Sequence, residues 1–165
     1  MRKMALAAAM IAATIVTSCD KAAAPKAEED ASSAKATVET VYSGFASGDI
    51  DLVVSAMSPE IDWREAEGNP YADKNPYIGP DAILSGVFAR LGGEWDGFAA
   101  KPEEFVSEGD RVIVFGRYNG VYLATGKKLD APFVHSWTVK DGKVVKFQQY
   151  TNTAAQVEAM TGGDN

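Results

Sequence analysis

Residues 131–150 read APFVHSWTVKDGKVVKFQQY, and this stretch decides the fold. Large side chains at Phe133, His135, Trp137 and Val139 alternate with Val134, Ser136 and Thr138, the period-two pattern of a strand with one buried face. Asp141-Gly142 follows, a dipeptide suited to the tight turn between antiparallel strands. A second β-rich run leads from Lys143 to Tyr150. The two strands are therefore expected at Ala131–Lys140 and Lys143–Tyr150. With Lys146 turned to solvent, Val145, Phe147 and Gln149 are expected inside, on the same side of the sheet as His135.

Upstream, Phe98–Glu108, Arg111–Asn119 and Val121–Ala124 also have strand character, with a turn at Gly109-Asp110. Before them lie helical patterns. Val38, Val41, Tyr42 and Phe45 recur at helical spacing, and Gly48-Asp49 breaks the run. Ile50, Val53, Val54 and Met57 resume it as a second helix. Ile61–Glu65 alternates like a short strand, and Glu67–Pro80 is rich in Pro, Gly and Asn and reads as loop. Pro80 opens a third helix, where a missing N–H costs nothing, and Gly92-Gly93 ends it. Thr151 or Asn152 can cap a last short helix through Met160. Helices segregated from a run of antiparallel strands predict an α+β fold, a curved sheet wrapped around the N-terminal helices.

The 165 residues, 46% hydrophobic, suffice for one domain. A formal charge of −7 argues against a nucleic-acid partner. A single Cys and a single His cannot build a zinc site of the usual ligands or an intrachain disulfide, so no metal or cofactor is expected. Arg2 and Lys3 precede a short apolar run from Met4 to Val16, too short to span a bilayer and suited to a secretory signal. The run ends Val16-Thr17-Ser18-Cys19, which resembles the lipobox of bacterial lipoproteins, where the Cys is lipidated and the signal is cut before it. The alternative is an ordinary signal with an incidental Cys. The expected organisation is a signal peptide over 1–18, the lipid-anchor Cys19 and a flexible tether over 19–35, and one domain over 36–162. The chain is then exported and held at a membrane by acyl chains. Asp20 after the Cys is associated in many Gram-negative lipoproteins with retention at the inner membrane, on its periplasmic face.

Several sequence words carry a family resemblance. They are Tyr42-x-x-Phe45-x-x-Gly48-Asp49, Trp63, Tyr77-Ile78-Gly79, Glu108-Gly109-Asp110-Arg111-Val112, Pro132-Phe133-Val134-His135-Ser136-Trp137, and Asp141-Gly142-Lys143-Val144 leading to Phe147-Gln148-Gln149-Tyr150. In order and spacing they resemble the SnoaL-like, ketosteroid isomerase-related branch of the nuclear transport factor 2-like superfamily, from about Ala36 to Met160. The resemblance implies a cone-shaped α+β barrel with an internal cavity, and homodimers packed through the sheet. Enzymes and plain binding modules share this cone.

Strand parity then nominates the cavity residues. Trp63 and Glu65 share a face, as do Phe133, His135 and Trp137. With Tyr77, Phe88, Phe147 and Gln149, and with Asn152 at the rim, they are expected to bind a small, largely apolar or oxygenated molecule. Counting from the Gly-Asp turn, Glu65 falls where the resemblance places the isomerase general base. A carboxyl in an apolar cavity is shifted toward a useful proton-transfer range. The isomerase's oxyanion-hole Tyr would fall on Val41, one residue from Tyr42. Its Asp would fall on His135 or Val134. The alternative to plain binding is therefore an acid/base enzyme, isomerase- or hydrolase-like, with Glu65 as proton shuttle and His135 as the oxygen-stabilising donor. Asn152 stands where polyketide cyclases carry an Asp, and it can also serve as a helix cap. Glu65 could instead be paired with Arg64 or Arg90.

Overall fold

The computed structural model describes residues 26–162. The signal segment and Cys19 lie outside the described residues. The first helix, α1, is Lys26–Ser47, so the described part of the expected tether is helical and continuous with the domain. The stretch from Lys26 to Ser43 contains neither Gly nor Pro and is rich in Ala, which favours helix. Ala34, Val38, Val41 and Tyr42 form its buried stripe. Lys35 pairs with Glu39 one turn on at 3.7 Å and lies over the Phe105 ring, 6.0 Å from its centroid. Gly48, at φ 72°, takes the left-handed turn that reverses the chain into α2, Ile50–Ser55, whose N-terminus is capped by Asp49.

Strand β1 is Met57–Arg64 and begins four residues earlier than its alternation suggested, so Met57 opens a strand rather than closing a helix. After β1 the loop holds a 3₁₀ turn at Pro70–Ala72 and a two-residue strand β2, Tyr77–Ile78. The third helical region starts at Pro80 as α3, Pro80–Ile83, widens into a π-helical turn at Leu84–Phe88 and continues as α4, Ala89–Glu94. It runs through Gly92-Gly93 rather than stopping there. Four long strands follow: β3 Trp95–Glu108, β4 Arg111–Tyr122, β5 Lys128–Lys140 and β6 Lys143–Thr151. The segments expected at Arg111–Asn119 and Val121–Ala124 are thus essentially one strand. Helix α5, Thr153–Thr161, ends the described chain. No helix among the described residues is long and apolar enough to cross a membrane.

The sheet order is β2-β1-β6-β5-β4-β3. Neighbours are antiparallel except β1 and β6, which pair in parallel, with Trp63 opposite Phe147 and Arg64 opposite Gln148. This is the expected α+β fold, a six-stranded curved sheet with α1 packed against β3, β4 and β5. One face of β5 is buried at Leu129, Ala131, Phe133, His135, Trp137 and Val139, as alternation required. In β6 the alternation slips. Val139 pairs with Val144 but Thr138 pairs with Lys146, so Val145 is a bulge residue. Val144 is therefore the buried residue, in place of the expected Val145, while Phe147 and Gln149 keep their inward positions.

Candidate functional site

A cavity of about 660 Å³ lies between the concave face of the sheet and the helices. Phe45, Ile50, Val87, Phe88 and Leu91 close it from the helical side, and Trp63, Phe98 and Phe147 from the sheet. Its polar lining is Glu65, Tyr71, Tyr118, His135, Gln149 and Gln156, with Lys101 as a cationic member. The wall is largely aromatic. Trp63 stacks on Phe147 with centroids 3.7 Å apart and meets Phe88 edge-on at 5.5 Å. The π-helical turn, frequent at functional sites, presents Val87 and Phe88 to the cavity.

Of the expected ligand-contacting residues, Trp63, Glu65, Phe88, His135, Phe147 and Gln149 do line this cavity. Four others do not. Phe133 and Trp137 are buried behind the wall, in contact with His135. Tyr77 anchors the loop beside β1, donating its hydroxyl to the Tyr71 carbonyl and to Asp73. Asn152 is the N-cap of α5, its side-chain oxygen accepting from the Ala155 N–H at 3.2 Å.

Glu65 is 3% exposed, just beyond the end of β1. One carboxylate oxygen accepts from Trp63 Nε1 at 2.7 Å and the other from Asn69 Nδ2 at 3.3 Å. Asn75 clasps its main chain from both sides. Neither expected arginine reaches it. Arg64 pairs with Asp62, and Arg90 with Asp73 and Glu94. Burial without a cation pushes the Glu65 pKa up to about 7, against the pull of the Trp63 and Gln149 hydrogen bonds. Such a group holds and releases a proton near neutrality.

His135 is also almost wholly buried, but it is not free to donate to a ligand. Its Nδ1 meets the Tyr42 hydroxyl at 2.6 Å and its Nε2 the Tyr118 hydroxyl at 2.5 Å. Burial pushes its pKa down to about 3, so the ring is neutral. The expected role as oxygen-stabilising donor is therefore corrected: both nitrogens are occupied. Sequence reasoning missed the two phenols that occupy them. Tyr42 belongs to the inward stripe of α1, and Tyr118 follows Val112, Val114 and Gly116 at even spacing on β4, so both were legible by periodicity alone. Trp137 Nε1 makes no hydrogen bond of good geometry, yet its N–H sits beside the Tyr42 hydroxyl and draws that phenol's pKa down while burial drives it far up.

Asn69 and Gln149 connect the acid to the phenols. Asn69 Nδ2 donates to Gln149 Oε1 at 2.7 Å, and Gln149 Nε2 donates to Tyr118 Oη at 2.8 Å. Gln156, from α5, is 2% exposed and its Oε1 has no hydrogen-bond partner among the described residues. The loop forming one side of the cavity is fastened by Tyr71. Its hydroxyl donates to Glu94 and accepts from Trp95 Nε1, and Arg90 stacks on its ring 4.6 Å from the centroid. Among the described residues no cluster of His, Cys, Asp and Glu could hold a metal.

The chain matches the SnoaL-like domain family over residues 38–147. No curated protein is matched by its sequence. Among solved structures, an NTF2-like protein from Burkholderia thailandensis is similar at 36% identity and a TM-score of 0.73, over 76% of this chain and 95% of that one. An NTF2-like protein from Burkholderia pseudomallei is similar at 25% identity and 0.72, over 78% and 98%. TerC, co-crystallised with polyporic acid, is similar at 30% identity and 0.69, over 77% and 97%. The six-stranded curved sheet over a cavity and a sequence match covering most of that sheet lead to one conclusion: the chain belongs to the SnoaL-like domain family, with the NTF2-like cone fold.

Proposed function

We propose that this chain is an exported, lipid-anchored protein that binds a small, largely apolar molecule bearing an oxygen in its cone cavity. The observation that carries the reading is the lining. Aromatic and aliphatic side chains enclose about 660 Å³, and within it stands a buried carboxyl with no cation beside it. An apolar body fits the wall, and a hydroxyl or carbonyl finds a few convergent polar groups. TerC's co-crystallised polyporic acid makes a hydroxylated aromatic quinone a suitable first probe. Trp63 and Trp95 line the cavity, so their fluorescence reports occupancy. Saturable quenching by polyporic acid or 2-naphthol, reduced when Phe88→Trp narrows the space, is the expected result. No saturable change with any probe of this kind sinks the reading.

A second reading is favoured by the Glu65 pKa near 7, which suits acid/base catalysis at neutral pH. Under it, Glu65→Gln keeps ligand affinity and loses turnover by about 10²- to 10⁴-fold. Retained turnover removes Glu65 from any mechanism.

Export and anchoring rest on the sequence around Cys19. Incorporation of labelled fatty acid and membrane fractionation, both lost in Cys19→Ser, are the expected outcomes; a soluble, unlabelled parent chain refutes them. We also propose a homodimer through the outer face of the sheet. Phe115, Val134 and Tyr150 lie side by side across β4, β5 and β6, and Phe115 and Tyr150 are 40% and 57% exposed. Sedimentation of the parent chain and of Phe115→Lys tests this, with dimer and monomer expected respectively.

A further inference from the structure

Hydrogen positions along the buried series Asn69, Gln149, Tyr118, His135 and Tyr42 follow from two backbone donors. The Tyr71 N–H donates to Asn69 Oδ1 at 2.9 Å, so the NH₂ of Asn69 is the group that reaches Gln149 Oε1. The Ala66 N–H donates to that same Gln149 oxygen at 3.2 Å. Gln149 therefore turns its NH₂ toward Tyr118, whose oxygen accepts.

The neutral His135 ring carries one N–H, which leaves two arrangements. With the proton on Nδ1, the ring donates to the Tyr42 oxygen and Tyr118 donates to Nε2. The Tyr42 proton is then stranded, because the hydrogen bond of this phenol runs to His135 and the side chain is off the cavity wall. A buried donor without an acceptor is costly. With the proton on Nε2, Tyr42 donates to Nδ1, and the Tyr118 oxygen accepts from both His135 and Gln149. One phenol proton is left over. It belongs to Tyr118, which is as buried as Tyr42 but lines the cavity, where a ligand oxygen can accept it.

On this basis we propose that Tyr118 is the cavity's hydrogen-bond donor to a carbonyl or hydroxyl oxygen of the ligand. His135 is a positioning residue that holds the phenol in this orientation. Two donors on one oxygen polarise its O–H and strengthen it toward a third partner. The donor stands in the same cavity as the Glu65 carboxyl, so a ligand oxygen meets a donor while an adjacent group exchanges protons with the acid. The proposal rests on the ligand reading above and deepens it.

The experiment has two arms. His135 is the sole histidine, so the imidazole ¹⁵N spectrum of the ligand-free protein belongs to it alone. The Nε2–H tautomer is expected; the Nδ1–H tautomer overturns the assignment without any ligand. The second arm compares 2-acetylnaphthalene with 2-isopropenylnaphthalene, a hydrocarbon of the same shape. The parent chain should prefer the ketone by about five- to tenfold, the worth of one hydrogen bond. Its bound carbonyl stretch should lie at lower frequency than in Tyr118→Phe. That variant should lose the preference while keeping hydrocarbon affinity within about twofold, since it removes one hydrogen bond to the ligand and no apolar contact with it. Binding of both probes without preference, or preference retained in Tyr118→Phe, overturns the Tyr118 role alone. Failure of both probes to bind the parent chain overturns the ligand reading and this proposal with it.

Discussion

Glu65→Gln removes a titrating group that burial lifts from its ordinary value of 4.5 to about 7. Between those values the folded chain holds a proton that the unfolded chain has released. The sign follows. The stability associated with protonated Glu65 is fully present below pH 4.5 and is lost as pH rises through about 7. The interval corresponds to about 3 kcal/mol, an order-of-magnitude figure for a carboxyl that is wholly buried and faces no cation. The Gln variant stays neutral throughout. Its amide oxygen can still accept from Trp63 Nε1, but its NH₂ then faces the Asn69 NH₂, a penalty that does not vary with pH. The informative quantity is therefore the difference in unfolding free energy between parent and variant, from urea titrations over about pH 4.5 to 8.5. Other carboxylates are common to both chains and cancel. The parent should lose about 3 kcal/mol relative to the variant across that range. Parallel stability curves, or a parent that gains on the variant as pH rises, refute the uncompensated buried acid.

Gln156→Leu replaces a buried amide whose oxygen has no partner, and should raise stability by about 1 kcal/mol in a thermal melt. A drop of that size would show that the amide is satisfied. Gly116→Ala drives a methyl group onto the Lys101 carbonyl and the Phe133 ring where β3 and β4 meet, and should cost about 1–3 kcal/mol by urea denaturation. Arg90→Ala strips the stacking on Tyr71 and the ion pairs with Asp73 and Glu94. These groups are partly exposed, so the expected loss is about 1 kcal/mol, with faster hydrogen exchange confined to residues 66–79.

The hairpin at 131–150 was legible because a single buried face writes itself as alternation, and Trp137 and His135 fell where parity put them. Parity also carried Glu65 inward from Trp63, although the acid lies one residue past the strand. The same rule failed at Val145, because a bulge inserts one residue and no local signal marks it. Tyr42 was misjudged for a different reason: counting by resemblance favoured Val41, while the spacing of Ala34, Val38, Val41 and Tyr42 already placed both on the inward side. The described part of the tether was read as flexible because it lacks large apolar residues, yet its Ala content and freedom from glycine let it prolong α1. Asn69, Asn75 and Gln156 left no trace. An amide in a loop or a short helix looks the same whether it faces solvent or a buried acid, and only the tertiary structure decides.

The parallel pairing of β1 with β6 brings residue 65 beside residue 149, so the acid's amide neighbourhood is completed only when a strand far downstream in the sequence docks. Until then Glu65 has no dry surroundings and titrates as an ordinary carboxylate. Gln149 and Gln156 also lie past residue 147, where the family match stops. Two chains can thus share the whole matched span, and the same hollow, yet differ in the amides that residues past 147 add to it. The acid, the phenol and the imidazole stand inside the matched span, and two buried amides of the polar lining stand outside it.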